Sequence, residues 1–184
     1  MTNELREVLL KVEAAIQATK PILGRQSYTI TDQKSQLRLP LLIGLMDQVI
    51  EHHEAMLLLI AHDMTGSAFA LARPIVEGMY RGLWIDGVAT DPELEHFIKK
   101  DEISVGMGKI AEAIDTAYGT NAAFTGLKKK AWGAPETGYT HNGILQVGRR
   151  FTKGEVKPAY TDGQKIEIIG DRHDVRSDPY FNLS

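Results

Sequence analysis

Met64-Thr-Gly-Ser-Ala-Phe69-Ala-Leu-Ala-Arg73-Pro-Ile-Val-Glu77-Gly-Met-Tyr80-Arg81-Gly-Leu-Trp84-Ile-Asp86 is the stretch that decides the fold class. At about 100° per residue, Arg73, Glu77, Arg81, Tyr80 and Trp84 share one face of a helix. Phe69, Leu71, Ala72, Ile75, Val76, Met79, Leu83 and Ile85 fill most of the remaining circle. A helix that is apolar on nearly every side is a buried, central one. Ions on such a helix are costly unless paired, so the Arg73, Glu77, Arg81 row calls for partner charges, a wet cavity or a ligand.

Helices extend outward on both sides. Leu5, Val8, Leu9, Val12 and Ile16 form an amphipathic stripe over residues 3 to 19, closed by Pro21. Gly24 to Thr31 is expected as a connecting loop. A long helix follows, from Leu37 or Leu41 to His62, with Pro40 in its first turn or at a kink. Met64-Thr-Gly-Ser turns the chain, and the Arg73 helix returns antiparallel to Asp86-Gly87. Pro74 lies in its interior, where a proline frees the carbonyl four residues earlier.

Asp91-Pro92-Glu93 reads as an N-cap, a first-turn proline and a first-turn acid, opening a helix to Glu102. Ile110, Ala113, Ile114 and Ala117 mark another, ended near Gly119. Ala122 to Trp132 and Thr140 to Phe151 are expected to be helical, with Gly133 to Gly138 a loop between them. Thr161-Asp-Gly-Gln164 resembles a capping box that opens a last helix through Ile169. The expected architecture is therefore all-α: an antiparallel helical bundle with two long central helices and several shorter ones. Residues 1–169 form one domain, and the polar stretch 170–184 is a flexible or loosely docked tail.

At 184 residues the chain is long enough to bury a real core in one domain. A formal net charge of -3, from 21 basic and 24 acidic side chains, gives no global field towards nucleic acid or anionic membranes. The absence of cysteine excludes disulfides, thiolate metal sites and Cys nucleophiles, and fits the cytoplasm. The mixed-charge N-terminus is not expected to be a signal peptide. Leu39 to Ile60 and Met64 to Ile85 are long enough to span a bilayer, but Glu51-His52-His53-Glu54 and the charged row argue for central helices of a soluble protein instead.

The charged row supports two readings. In one it is a salt-bridge seam between packed helices or subunits. In the other, Glu77 orients the guanidiniums of Arg73 and Arg81 to grip phosphate or carboxylate, and Tyr80 and Trp84 stack on a flat group. Glu51, His52, His53 and Glu54, with His62 beyond, invite a metal. No Glu-x-x-His or His-x-x-x-His spacing occurs among them, so no metal and no cofactor is expected. Tyr139-Thr-His141-Asn-Gly143 opens a segment carrying Arg149 and Arg150. On a helix His141 and Arg149 share a face, equipment for a general base and a phosphate clamp in RNA cleavage. The chain has no Walker loop, dinucleotide fingerprint, Gly-x-Ser-x-Gly elbow or His-Glu-x-x-His. The partners this selects are a second copy of the chain and an anionic small molecule or RNA, with no membrane.

The Ala-rich Arg73-Pro-x-x-Glu77-x-x-x-Arg81-x-x-Trp84 helix, following a His-rich or acidic turn, resembles a group of uncharacterised bacterial all-helical proteins. Tyr139-Thr-His141-Asn-Gly143 with Arg149-Arg150 looks like that group's second block. More remotely the architecture is similar to the HEPN superfamily of helical bundles, many of them ribonucleases or nucleotide-binding modules of toxin and phage-defence systems. That resemblance implies an Arg followed four to six residues later by a His. No arginine stands at that distance before His141.

Overall fold

The computed structural model describes residues 1–24, 33–133, 151–152, 155–156 and 160–169. It is an all-α bundle. Helices run over Asn3–Gly24 (α1), Gln33–Ala61 (α2), Thr65–Gly87 (α3), Asp91–Lys100 (α4), Met107–Tyr118 (α5) and Ala123–Gly133 (α6), and Asp162–Ile169 forms α7. Phe151–Thr152 (β1) pairs antiparallel with Glu155–Val156 (β2), with Phe151 opposite Val156. Phe151, expected to end a helix, is thus in a short ladder, and residues 140–150 of that expected helix lie outside the described residues, as does the tail 170–184. Among the described residues no helix is long and apolar enough to cross a membrane.

α2 and α3 form the antiparallel hairpin at the centre. A Cβ built on Gly78 would lie 2.5 Å from Val49 Cγ2, and one on Gly82 would lie 2.5 Å from Met46 Cε, so the register falls along α3 as it rises along α2. These glycines let the two backbones approach closely. Both central helices tolerate their prolines. Pro40 and Pro74 lie inside α2 and α3, and Pro21 inside α1, which continues to Gly24 instead of ending. Proline's fixed φ is itself helical, so each costs one backbone hydrogen bond and a local bend without forcing termination.

α3 changes core partners halfway along its length. Its first half places Ala68 and Ile75 against Leu5 and Val8 of α1, Met56 and Ile60 of α2, and Ile166 and Ile169 of α7. Its second half places Tyr80, Trp84 and Ile85 against Leu94 of α4 and Ile110, Ala111 and Ile114 of α5. Glu77 sits between the two cores.

Helix ends follow local chemistry. Thr90, in extended conformation, is the N-cap of α4, with its amide and hydroxyl both donating to Glu93 Oε2 at 2.8 and 2.6 Å. The cap thus lies one residue before the expected Asp91, because Thr90 supplies the capping box. Lys99 and Lys100 close the same helix, two residues before the expected Glu102, where cations suit the dipole. At α7, the Thr161 amide donates to Gln164 Oε1 at 3.0 Å and the Gln164 amide to Thr161 Oγ1 at 3.2 Å, a reciprocal capping box.

The α5–α6 corner is closed by one carboxylate. Asp115 accepts from the Thr120 and Thr125 hydroxyls, both at 2.6 Å, and from the amides of Phe124 and Thr125 at 2.9 and 2.8 Å. Burial pushes its pKa up, but these four donors outweigh it and hold the carboxyl below its ordinary 3.8. The same corner bends through Ala122 at φ +66°, a left-handed conformation that alanine adopts at a cost of about 1–2 kcal/mol. Ala122→Gly is expected to stabilise the fold by about 0.5–1 kcal/mol, measurable as a rise in denaturant midpoint at constant slope. A loss of stability would show that Ala122 makes contacts worth more than its strain.

Candidate functional site

The half-buried face between the two cores of α3 is where the charges sit. Arg73 Nε donates to Glu77 Oε1 at 2.7 Å, an i,i+4 pair within one helix. Such a pair is worth about 0.5 kcal/mol when partly solvated. Arg81 makes no ion pair among the described residues, and its Nε is buried with no hydrogen-bond partner. The sequence row is therefore not a continuous ladder. Glu77 neutralises Arg73, and Arg81 adds one uncommitted positive charge beside them.

The two aromatic residues expected to flank the row are core residues. Tyr80 is 0 % exposed, its hydroxyl donates to the Phe124 carbonyl at 2.5 Å, and its ring meets the Phe124 ring edge-on at 5.8 Å. Burial and then the nearby Asp115 charge push the phenol up to about 12, so it stays a neutral donor. Trp84 is 2 % exposed and meets Phe97 edge-on at 6.2 Å. Neither ring leaves a face open for a flat ligand. A helical wheel puts both on the face of the row and carries no sign that Phe124 of α6 packs on Tyr80 and Phe97 of α4 on Trp84. Tyr139, His141 and Arg149 lie outside the described residues.

Two members of the polar run on α2, His53 and Glu54, have local partners. His53 Nδ1 lies 3.2 Å from the Val49 carbonyl, and Glu54 is held from α1 by Lys20 at 2.5 Å and Gln17 at 3.1 Å. Among the described residues no three His, Asp or Glu side chains converge as metal ligands would.

Three polar side chains that the sequence did not single out bind the bundle together. Arg38 of α2 reaches the end of α3, where Nη1 donates to the Ile85 carbonyl at 2.6 Å and Nη2 to the Ala89 carbonyl at 2.6 Å and to Asp91 Oδ1 at 2.8 Å. It lines a cleft of about 380 Å³ with Asp86, Gly87, Val88, Thr90 and Asp91. Lys165 of α7, only 8 % exposed, pairs with Asp63 at the α2–α3 corner (3.2 Å) and with Asp162 (3.7 Å). Asp115, described above, is the third. A lone cation flanked by Leu37 and Leu39 was the available signal for Arg38, since a charge within an apolar run needs a partner.

No curated protein and no solved structure matches the chain. A family of unknown function, DUF6988, matches residues 46–164, more than half of the chain, which takes in the second half of α2 and all of α3 with its charged face. With that match and the all-helical architecture, the chain belongs to the DUF6988 family of unknown function.

Proposed function

We propose that this protein binds an anionic ligand, phosphate-bearing or nucleotide-like, with Arg81 as the anchoring cation. One observation carries the reading: Arg81 lies half-buried on the central helix without an acidic partner among the described residues, while the adjacent carboxylate of Glu77 is engaged by Arg73. A cation drawn into a protein surface without a counter-ion is favourably placed to receive one, and guanidinium suits phosphate or carboxylate oxygens. Tyr139, His141 and Arg149 are the residues that would add a second wall. His141 would be the base if RNA or a related phosphodiester were cleaved. Wild type and His141→Ala equally inert on RNA would remove that catalytic version.

The binding reading is tested with inorganic phosphate and adenosine monophosphate, titrated calorimetrically against wild type, Arg81→Gln and Lys129→Gln. Loss of one charge-assisted contact, about 1.5–3 kcal/mol, predicts an Arg81→Gln affinity at least about tenfold weaker, with Lys129→Gln unchanged. Equal binding by Arg81→Gln and wild type, or no binding by wild type to either anion, sinks the proposal.

The competing reading is a non-enzymatic oligomeric protein in which the charges serve packing. It is favoured by the Arg73–Glu77 pair, which forms between two side chains of one helix without a ligand. Under that reading, Arg81→Leu leaves both the sedimentation behaviour and the anion titrations at wild-type values.

A further inference from the structure

Between α1 and α2 lies a groove of about 360 Å³ whose walls are Val12, Ala15 and Ile16 from α1 and Ile50 from α2, with the imidazole of His53 among them. The ring is half-buried, and its Nδ1 is at hydrogen-bond distance from the Val49 carbonyl of its own helix, 3.2 Å away. As a neutral ring donating from Nδ1, it satisfies the backbone and carries no charge beside walls that are apolar apart from Lys11 and Thr19. As an imidazolium it would carry a full charge and a second N–H to be satisfied beside those walls.

The charges around it do not compensate that cost. From α1, Lys11 lines the same groove and is itself paired with Glu7 at 3.1 Å, and Lys20 approaches farther along. On α2, His52 is adjacent and adds repulsion, and Glu51 is exposed. Glu54, the nearest carboxylate in sequence, is engaged by Lys20 and Gln17. Burial first, and His52 as a smaller contribution, hold the ring below its ordinary value of 6.5 against the opposing effect of the Val49 bond.

We propose that the docking of α1 onto α2 is proton-linked through His53, so that protonating this ring loosens α1 and uncovers the apolar surface of Met56 and Ile60 that Leu5 and Val8 cover. The sign follows from linkage. A histidine that binds its proton less well in the docked state favours docking fully above the ordinary imidazole value. That contribution declines as pH falls through 6.5 and levels off below the docked-state value.

Hydrogen exchange of the full chain, corrected for intrinsic rates and followed from pH 7.5 to 5.5, tests this. Peptides from α1 should lose protection by up to about tenfold per pH unit, the limit for a single proton, while α5 peptides keep theirs. His53→Gln should flatten the α1 response, and His52→Gln should retain it. The ring resonances of His53 in the wild type supply a check that needs no variant, since their titration must coincide with the loss of α1 protection. A flat wild-type profile, an unchanged slope in His53→Gln, a flat His52→Gln profile or a ring titration displaced from the α1 transition each overturns the proposal.

Discussion

Gly78→Ala is expected to destabilise the protein by about 2 kcal/mol, despite the helix propensity that alanine adds. The new methyl would be placed 2.5 Å from Val49 Cγ2, a distance that no pair of carbons sustains, so a backbone or a side chain must move. Valine is stiff at χ1 in a helix, and its branch cannot swing away without entering a disfavoured rotamer. The remaining response is to push α2 from α3 across the central contact, which loosens both cores. For a chain of this size the melting temperature should fall by about 4–8 °C. Gly82→Ala provides the contrast. Its methyl would meet Met46 Cε at the same 2.5 Å, but that atom is the far end of an unbranched thioether that can rotate away. It should cost less than about 0.5 kcal/mol, because the gain from replacing helical glycine offsets the adjustment. The double change Gly78→Ala with Val49→Ala should recover part of the loss, since the second substitution vacates the volume the first requires. Equal denaturant midpoints for Gly78→Ala and Gly82→Ala would show that the hairpin yields as a rigid unit and that the stiffness of Val49 decides nothing.

The same hairpin shows which parts of the molecule the sequence makes legible. The i, i+4 spacing of Gly78 and Gly82 announces close helix approach, and the Thr161 and Gln164 capping box announces the start of α7, because each depends on residues within a turn of one another. The all-helical class was readable for the same reason: the apolar periods of α1 to α5 are local. What depends on which neighbour arrives was not readable. Tyr80 and Trp84 share a face with Arg73 on any helical wheel, yet α6 and α4 cover them. In an isolated helix Glu77 is oriented to favour the arginine four residues ahead. In the bundle it pairs with Arg73, and Arg81 has its Nε packed away from any acceptor. The difference between a salt-bridge row and an uncommitted cation is therefore tertiary, and it is this difference that shifts the functional argument from a stacked pocket to a single anchoring guanidinium.

Arg38→Met is expected to cost about 3 kcal/mol, because one guanidinium satisfies two helix-end carbonyls and pairs with Asp91. A helix ends with carbonyls that lack intrahelical donors. At the end of α3, Val88 and Ala89 both donate back to the Trp84 carbonyl, at 3.0 and 2.7 Å, leaving the Ile85 carbonyl to be met from outside. Arg38 meets it, takes the Ala89 carbonyl in the same fork, and adds Asp91 at the first position of α4. Its side chain is 13 % exposed, so water replaces these bonds poorly once the fork is removed. The cation is also at the negative end of the α3 dipole, which adds to the stabilisation. Methionine keeps much of the volume and none of the donors, whereas Arg38→Lys restores the charge without the planar fork and should recover less than half of the loss. Hydrogen exchange should localise the effect to the end of α3 and the first turn of α4, and the Arg73–Glu77 region should stay protected until global unfolding. A loss below about 1 kcal/mol for Arg38→Met would mean that neither the charge nor the fork holds this corner, and full rescue by lysine would mean that charge alone suffices and that the forked geometry across α2, α3 and α4 is incidental.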